Sequence, residues 1–319
     1  MNMLLVCSGC KVSRGEEESM QAVQFTEYGS PEVLQVVEVE EPHAGAGQVR
    51  IAVRAAGVNG IDWKIRAGYM GGGKPLSHPS GTGMDAAGVV DEVGEGVSDV
   101  SVGDAVFGTG SATLAEYAVL SRWVVKPSGL SFEEAAGYPI PVETAIRILD
   151  EVGVQAGETL LVSGASGGVG SAVVQFARLR GITVIGTASE RNQDYLRSLG
   201  ANPTTYGDGL VDRVRDLAPN GVDAALDIAG SGIIPELIEL TGDPSRVLSI
   251  ADFGAPEHGA RVSTSSTNAT GAMAEAARLF TEGAFTLSVE KTFPLEEAAK
   301  AQATSEAGHV AGRLVVVVS

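Results

Sequence analysis

The residues best suited to chemistry lie in a glycine-rich stretch, residues 160–171, which reads LLVSGASGGVGS. An apolar strand pattern precedes the glycines and an amphipathic helix pattern follows them. Gly167 and Gly168 would let the backbone approach a pyrophosphate at the helix N-terminus, and Gly170 would let the helix pack close to the strand. Ala165 stands where the G-x-G-x-x-G fingerprint has its first glycine. The stretch predicts a dinucleotide-binding loop, the alternative being an ordinary strand-to-helix turn without a cofactor. The expected loop contacts are Ser166, Gly167, Gly168 and Val169.

The end of the next strand, GTASERN, indicates which dinucleotide is bound. NAD sites usually place an acid there for the ribose hydroxyl, whereas NADP sites carry neutral and basic groups. Thr187, Ala188 and Ser189 occupy the usual place of the acid, and Arg191 follows with a guanidinium suited to phosphate. Glu190 is discordant, because a shift of one or two positions would make it the ribose acid. The segment favours NADPH over NADH, with Ser189 and Arg191 binding the phosphate, the alternative for both residues being a solvated helix start.

The pattern of apolar residues differs between the two halves of the chain, which predicts about two domains. From residue 21 to about residue 127 apolar residues alternate between turns, as in QVRIAVRAAGV, which is typical of short antiparallel strands. From Ser131, which forms a capping box with Glu134, apolar strands alternate with helices. This alternation predicts a doubly wound parallel sheet, so the fold class is α/β. Residues 285–319 read as a helix followed by a strand, and the pattern alone leaves open which sheet that strand joins.

Composition and charge argue against several function classes. The 319 residues include 40 acidic and 22 basic side chains, and the net charge of -18 would repel nucleic acid and anionic lipid surfaces. No apolar run approaches the roughly 18 to 20 residues that cross a bilayer. Cys7 and Cys10 lie in a leader, residues 1–19, that is predicted to be disordered, the alternatives for this pair being a redox pair or half a metal site. The sequence therefore predicts a cytoplasmic protein without a nucleic-acid or membrane partner.

Further motifs give the chain a family resemblance. They read AAGVNGIDWKIRAGY, GTGMDAAGVVDEVGEGV, VGDAVFG, AEYAVL, GASGGVG and GHVAGRLVVVV. The chain resembles the medium-chain dehydrogenase/reductase superfamily over residues 20–319 and, within it, the zinc-free quinone oxidoreductase branch. The resemblance implies a GroES-like antiparallel β-barrel domain of residues 20–143 and 285–319. It also implies a Rossmann domain of residues 144–284 that binds NADPH, and a homodimer.

The zinc-dependent alcohol dehydrogenases of that superfamily carry a catalytic Cys where this chain has Asn59. They have a G-H-E motif where it reads Gly83, Met84 and Asp85. No cysteine follows residue 10 and the chain has only four histidines, so no tetrahedral zinc site is predicted. Oxidation of an alcohol by hydride removal needs help in forming an alkoxide, which zinc gives as a Lewis acid, whereas a quinone or an activated double bond is already electrophilic. Hydrogen-bond donors can stabilise the enolate or phenolate that hydride addition produces. The missing ligands point from alcohols toward quinones and enones.

The same resemblance implies roles for residues of the segment VNGIDWKIRAGY. Asn59, Asp62 and Tyr69 would line the pocket near the nicotinamide. We expect Asn59 to orient the carbonyl or the nicotinamide, and Tyr69 to hydrogen-bond or protonate the reduced product. The alternatives are a half-buried loop aromatic for Tyr69, and for Asp62 a turn carboxylate that caps the helix or pairs with Arg66. Lys64 stands where quinone reductases often carry an aromatic residue, which leaves room for a more polar substrate.

Other cofactor contacts are expected outside that segment. By resemblance, Thr144 approaches the nicotinamide at the domain junction and Tyr206 lies near the adenosine phosphate. Ile250 and Ala251 follow a strand whose carboxyl end faces the ligand in α/β folds. Glu143, beside Thr144, is either an unusual neighbour of the cofactor or a helix-start charge.

The predicted activity is the zinc-independent reduction, by NADPH, of a small-molecule quinone or α,β-unsaturated carbonyl. Two alternatives stay open at this point. One is an enoyl reductase that acts on a carrier-bound thioester in secondary metabolism, which a basic patch at the cleft mouth would support. The other is a protein that binds NADPH without catalysis, which NADPH consumption on a panel of quinones and enones would distinguish.

Overall fold

The computed structural model describes residues 18–264 and 268–318, so the Cys7 and Cys10 pair lies outside the described residues. Its first part is antiparallel β structure. The elements are β1 (Ser19–Phe25), β2 (Gln35–Glu40), β3 (Val49–Val58), α1 (Gly60–Arg66), β4 (Ser80–Gly81), β5 (Asp85–Val93), β6 (Ala105–Gly110) and β7 (Tyr117–Val125). Along β3 the side chains of Val49, Ile51 and Val53 are buried, because the alternation in the sequence places them on one face.

The second part is a parallel sheet with helices between its strands. Its elements are α2 (Phe132–Ala136), α3 (Pro139–Val152), β8 (Thr159–Ser163), α4 (Gly168–Leu179), β9 (Thr183–Thr187), α5 (Gln193–Leu199), β10 (Asn202–Thr204), α6 (Leu210–Leu217), β11 (Ala224–Asp227), α7 (Ile234–Thr241), β12 (Val247–Ser249), β13 (Arg261–Val262) and α8 (Ala269–Thr281). The strand order is β10-β9-β8-β11-β12-β13, with parallel pairing throughout. The predicted α/β class is confirmed.

Local sequence signals account for the entry into this part. The Ser131 hydroxyl accepts a hydrogen bond from the Glu134 amide at 3.1 Å, and the Glu134 carboxylate accepts one from the Ser131 amide at 3.0 Å. The predicted capping box is thus confirmed, and it opens α2. The long helix α3 follows and runs across the domain boundary predicted between residues 143 and 144.

The chain then returns to the antiparallel part through β14 (Val289–Pro294), α9 (Ala298–Ala307) and β15 (Arg313–Val317). Strand β15 pairs antiparallel with β3, with Leu314 opposite Val58. The resulting sheet has the order β14-β15-β3-β5-β6-β7, and a further pairing of β3 with β7 closes it. The strand that the sequence pattern left unassigned therefore belongs to the antiparallel sheet, as the resemblance implied.

Aromatic packing fixes the two parts against each other. The Tyr138 ring, just before α3, lies edge-on to Phe107 of β6 at 6.0 Å and to Phe285 at 5.5 Å. Phe285 in turn stacks on Phe176 of α4 at 4.8 Å, and all four side chains are buried. Each such ring stabilises the fold by about 1.5 to 3 kcal/mol relative to exposure. These four rings therefore form a continuous buried contact between the antiparallel part and α4 of the parallel part. No helix within the described ranges is long and apolar enough to cross a membrane.

Candidate active site

A cavity of about 880 Å³ lies where the carboxyl ends of the parallel strands face α1 and the segment before β15. Ligands of open α/β sheets bind at this edge. Most of the residues expected from the sequence line this cavity. They are Asn59, Thr144, Ser166, Gly167, Gly168, Val169, Ser189, Tyr206, Ile250 and Ala251. The residues expected at the site that lie outside its wall are Asp62, Tyr69 and Arg191.

The glycine-rich loop presents the N-terminus of α4 to the cavity. Gly167 is the N-cap, and the first amides of a helix have no partner within the helix. A methyl group built on Gly167 would have one neighbour within 4 Å, the Gly164 carbonyl oxygen at 3.7 Å. On Gly170 it would lie 2.2 Å from that same oxygen, so Gly170 permits the close packing that the sequence predicted. The loop thus leaves open space in front of a row of amide donors.

Gly168, which also lines the cavity, makes room for a side chain from another segment. A methyl group on Gly168 would lie 2.6 Å from the Arg313 side chain, so the absent side chain makes room for that guanidinium. The chain around Arg313 also closes over the loop. The Gly312 amide donates to the Ser166 carbonyl oxygen at 2.8 Å, and Gly312 forms a parallel bridge with Gly167. The glycine-rich loop is therefore held by a segment that lies more than 140 positions away in the sequence, around Gly312 and Arg313.

Polar groups with spare hydrogen-bonding capacity gather beyond the end of β9. The Ser189 hydroxyl oxygen is buried and has no hydrogen-bond partner among the described residues. The Arg191 guanidinium is exposed and donates to the His309 carbonyl oxygen at 2.5 Å. The Tyr206 hydroxyl lies 3.2 Å from His309 Nδ1, and the two rings stack. Glu190 is exposed and does not line the cavity. This end of the cavity offers donors to a phosphate and keeps the discordant carboxylate outside.

A buried polar network holds Asn59 in one orientation. Its Nδ2 donates to Asp85 Oδ2 at 2.9 Å, and its Oδ1 accepts from Arg313 Nη2 at 2.9 Å. The Asn59 amide donates to Asp62 Oδ2 at 2.7 Å, which caps α1. Asp62 therefore lies behind Asn59 as a capping carboxylate. It does not pair with Arg66, whose guanidinium bonds to Gln302, Gly29 and Glu306 instead. Asn59 lines the cavity, and the side-chain NH2 group has a second N–H beyond the one that bonds to Asp85.

The network places two carboxyl groups against one guanidinium. Burial raises the pKa of Asp85 to about 7, opposed by Arg313, the Asn59 side chain and the Ile140 amide. Burial also raises the pKa of Asp62 to about 7, and Asp85 adds to that increase. Asp62 Oδ1 has no hydrogen-bond partner in the described part of the chain. Burial lowers the pKa of Arg313, opposed by both carboxylates. Ionisation of the network is thus costly in the folded state.

Because ionisation of Asp62 is unfavourable in the folded protein, the stability of the fold should depend on pH. The pKa of Asp62 is about 7 in the folded protein and 3.8 without burial, so the folded state binds the proton more tightly. The resulting stabilisation is complete below pH 3.8 and is lost as the pH rises through about 7. Asp62→Asn keeps the acceptor for the Asn59 amide and removes the titration. We expect the melting temperature of Asp62→Asn, relative to that of the wild type, to be higher at pH 8 than at pH 5. Thermal unfolding at both pH values, with the exposed Asp99→Asn as control, measures this gain, and an equal difference at both values would contradict it.

Tyr69 is not brought into the cavity. Its side chain is 69% exposed, and its ring lies edge-on to Trp63 at 5.8 Å. The next residue, Met70, lines the cavity instead. The expectation that the Tyr69 hydroxyl contacts the reduced product gains no support from this placement, which agrees better with the alternative of an aromatic on a loop.

Several cavity residues were not assigned a role from the sequence. His309 and Arg313 belong to the motif GHVAGRLVVVV, which served only as a marker of resemblance. Glu143 is more than a helix-start charge, since it forms an ion pair with Arg147 at 3.0 Å at the cavity wall. Phe253 lies at the wall with 58% of its side chain exposed. Lys64 also lines the cavity, and the sequence marked it because it replaces an aromatic residue.

Comparisons with known proteins agree with this arrangement. The family described as "Alcohol dehydrogenase GroES-like domain" matches residues 45–128, and "Zinc-binding dehydrogenase" matches residues 199–316. A quinone oxidoreductase of Sus scrofa is 35% identical over 248 residues, which cover 75% of each chain. This chain belongs to the medium-chain dehydrogenase/reductase superfamily, in its quinone oxidoreductase branch. The resemblance found in the sequence motifs is thereby confirmed.

Two further members of the superfamily are similar in sequence or fold. A 2-methylene-furan-3-one reductase of Solanum lycopersicum is 36% identical over 229 residues, which cover 67% of this chain and 58% of that one. The structure of Escherichia coli quinone oxidoreductase complexed with NADPH superposes with a TM-score of 0.82 at 25% identity. It covers 93% of this chain and 99% of that chain. The likeness thus extends through both parts of the fold.

Proposed function

We propose that this protein transfers hydride from NADPH to a quinone or an α,β-unsaturated carbonyl compound, independently of zinc. The observation that carries the proposal is the single cavity that joins a helix N-terminus and the Ser189 hydroxyl to the oriented amide of Asn59. The oxidoreductase relatives support the reaction class, and the NADPH complex of the similar Escherichia coli enzyme supports the cofactor.

The residues at the cavity wall fit a phosphorylated dinucleotide. The amides at the start of α4 would hold the pyrophosphate above Gly167, where a side chain would fill the space. The unpartnered Ser189 hydroxyl at the wall would take the 2′-phosphate, together with the exposed Arg191 guanidinium, which lies outside the wall two residues further along the chain. Ile250 and Ala251 would form the wall toward the nicotinamide, and Thr144 would approach it from α3. When bound, NADPH supplies the hydride and its electron pair.

The zinc independence that we propose rests on the charges around Asn59. At the positions where zinc-dependent relatives carry Cys and Glu, Asn59 and Asp85 bond to each other at 2.9 Å. The Arg313 guanidinium lies 3.7 Å from Asp85 and would repel a metal cation there. Within the described ranges no group of three or more His, Cys, Asp or Glu side chains could hold a metal ion.

The test of this function is NADPH consumption with 1,4-benzoquinone, 9,10-phenanthrenequinone and simple enones. We expect turnover that survives treatment with EDTA. Binding of NADPH without turnover on the whole panel would favour a non-catalytic role. Loss of activity in EDTA that zinc restores would overturn the metal-free part of the proposal.

The phosphate site makes a prediction about cofactor choice. Arg191→Ala removes a charged donor, and a hydrogen bond to a charged group contributes about 1.5 to 3 kcal/mol. We expect the Kd for NADPH to rise roughly 10- to 100-fold and the Kd for NADH to stay unchanged. Cofactor fluorescence titrations measure both constants. The matched control is Arg197→Ala, which removes an exposed arginine of α5 that pairs with Asp194. Equal effects of the two substitutions would refute the assignment of Arg191.

We also propose a homodimer formed through β13. This strand lies at one edge of the parallel sheet, beside β12. An edge strand offers backbone donors and acceptors that a second copy can pair with. Light scattering after size-exclusion chromatography gives the mass, and a monomer at micromolar concentration would contradict this assembly.

A further inference from the structure

Lys64 is a charged side chain that faces the cavity without an ion pair. It lies on α1, five residues after Asn59, and is half-buried at the cavity wall. Its ammonium group has no hydrogen bond or salt bridge to any residue in the described ranges. It lies over the Trp63 ring, whose centroid is 5.7 Å from Nζ. A cation–π contact leaves all three N–H groups of the ammonium available to a ligand.

The electrostatic surroundings place this ammonium near the carboxyl ends of the strands. The charged group that attracts it is Asp227, at the end of β11. Asp227 is itself buried and occupied, since its carboxylate accepts from the Ser249 hydroxyl at 2.8 Å and the Gly230 amide at 3.0 Å. Burial lowers the pKa of Lys64, and Asp227 opposes this shift. Lys64 thus lies near the edge of the sheet at which the nicotinamide is expected. It is attracted by Asp227 but forms no hydrogen bond or salt bridge with it.

Other charged side chains near Lys64 form ion pairs with each other. Across the cavity, Arg147 of α3 pairs with Glu143 at 3.0 Å. On the far side of α1, Arg66 pairs with Glu306 of α9 at 2.5 Å. Guanidinium groups also keep their protons throughout the working range of pH. Neither pair can therefore replace Lys64 as a source of a proton.

The remaining titratable groups of the wall lie elsewhere or are bonded. His309 and Tyr206 contact each other at the phosphate end of the cavity. Asp85 and Arg313 are buried in the network behind Asn59. Tyr69, which the sequence proposed as the proton donor, lies outside the wall. Lys64 is therefore the titratable group of the described wall that is left without a hydrogen-bond or ion-pair partner and can offer a proton to a substrate.

We propose that Lys64 is the general acid of the reduction: its Nζ donates a hydrogen bond to the substrate carbonyl oxygen and gives that oxygen a proton as hydride reaches the substrate. This inference rests on the proposed function. For an enone, the C–H bond at the β-carbon would form as the C4–H bond of bound NADPH breaks and leaves NADP+, and the electron pair of the C=C bond moves toward the carbonyl oxygen. The O–H bond forms as an N–H bond of Lys64 breaks, which gives a neutral enol and a neutral amine. The enol tautomerises to the ketone, and the amine regains a proton from water.

A lysine with a lowered pKa suits this role, because a general acid works best when its pKa is near the working pH. The protonated amine is the active form. The wild-type kcat should therefore fall as the pH rises through the pKa of Lys64, below the ordinary lysine value of 10.5.

Three variants separate the proton from the charge. Lys64→Met removes both, and we expect kcat to fall about 100-fold with loss of the alkaline limb of the pH profile. Lys64→Arg keeps the charge and the donors but not the proton transfer, so kcat should fall roughly tenfold, again without that limb. Lys74→Met removes an exposed lysine from the loop after α1 and is the matched control. Unchanged kcat and an unchanged pH profile in Lys64→Met would overturn the proposal. A higher KM with unaltered kcat in both Lys64 variants would also overturn it, since Lys64 would then only anchor the substrate.

A binding experiment without turnover provides a second readout. The probe is 4-nitrophenol, whose absorbance reports ionisation and whose phenolate resembles the oxyanion of the reduced substrate. In the presence of NADP+, the wild type and Lys64→Arg should lower the apparent pKa of the bound phenol, and Lys64→Met should not. Equal phenol titrations in wild type and Lys64→Met would contradict the contact between Nζ and the oxygen.

The two proposals fail in distinguishable ways. A wild type that turns over no quinone or enone refutes the reductase function and Lys64 as its acid together. A wild type that is active, with Lys64→Met equally active and still able to bind NADPH, refutes Lys64 alone.

Discussion

Replacement of Arg313 by methionine is expected to lower the free energy of unfolding by about 3 to 5 kcal/mol at pH 8, the usual cost of removing one partner from a buried ion pair. Arg313 is buried, donates to Asn59 at 2.9 Å and lies 3.7 Å from the Asp85 carboxylate. Without it, Asp85 and Asp62 share a buried region with no compensating cation. At pH 5 both carboxyls can be protonated, because their pKa values are about 7, so the loss should be smaller.

A double-mutant cycle distinguishes this cause from a loss of packing. Asp85→Asn removes the charge that Arg313 compensates and keeps an acceptor for the Ile140 amide. The double variant with Arg313→Met should be more stable at pH 8 than Arg313→Met alone. Chemical denaturation supplies the free energies of unfolding of the four proteins at pH 5 and again at pH 8. If the double variant is the less stable one at pH 8, charge is not the cause.

Gly170→Ala is expected to destabilise the fold by about 1 to 3 kcal/mol, the usual cost of overpacking. The added methyl group would lie 2.2 Å from the Gly164 carbonyl oxygen and 2.6 Å from the Ala165 Cα, so the backbone of the loop must move. The helix propensity of alanine opposes this by at most about 1 kcal/mol. Since the loop carries the amides that would hold the pyrophosphate, NADPH affinity should fall about 100-fold, or 2.7 kcal/mol.

Gly167→Ala is the matched control for that result. Its methyl group would meet only the Gly164 oxygen, at 3.7 Å, and the backbone φ of -71° suits any residue. We expect an unchanged melting temperature and an NADPH affinity about tenfold weaker, because the methyl group occupies the approach to the helix amides. A Gly167→Ala variant that binds NADPH normally would show that the pyrophosphate does not lie at this position.

The parts of the site that the sequence predicted are those set by local geometry. The glycine-rich loop, the strand end at Ser189 and the capping box at Ser131 each depend on residues a few positions apart, and the sequence pattern placed each of them correctly in the fold. Asn59 was assigned through a resemblance, because a single amide in a turn has no pattern of its own. Its network with Asp85 and Arg313 joins residues that are 26 and 254 positions away, which periodicity cannot connect.

Sequence patterns also could not predict the surroundings of Tyr69 and Gly168, because these depend on contacts in the folded structure. Tyr69 belongs to a segment that the resemblance covers, but its direction depends on the fit of its ring against Trp63. Gly168 matched the expected motif, and yet the side chain that needs its space comes from the far end of the chain. For Lys64 the sequence alone was informative. It stands where quinone reductases often carry an aromatic residue, and it lies at the cavity wall.

The pairing of β15 with β3, together with the bridge between Gly312 and Gly167, sets an order of events during synthesis of the protein. The glycine-rich loop leaves the ribosome well before residue 312 is made. At that stage the segment that closes over the loop has not been synthesised. Contacts between such distant parts of a chain also form slowly, since a long loop must close first. We therefore expect a nascent chain that lacks β15 to bind NADPH poorly, so that the cofactor can stabilise the fold only after that strand has been made.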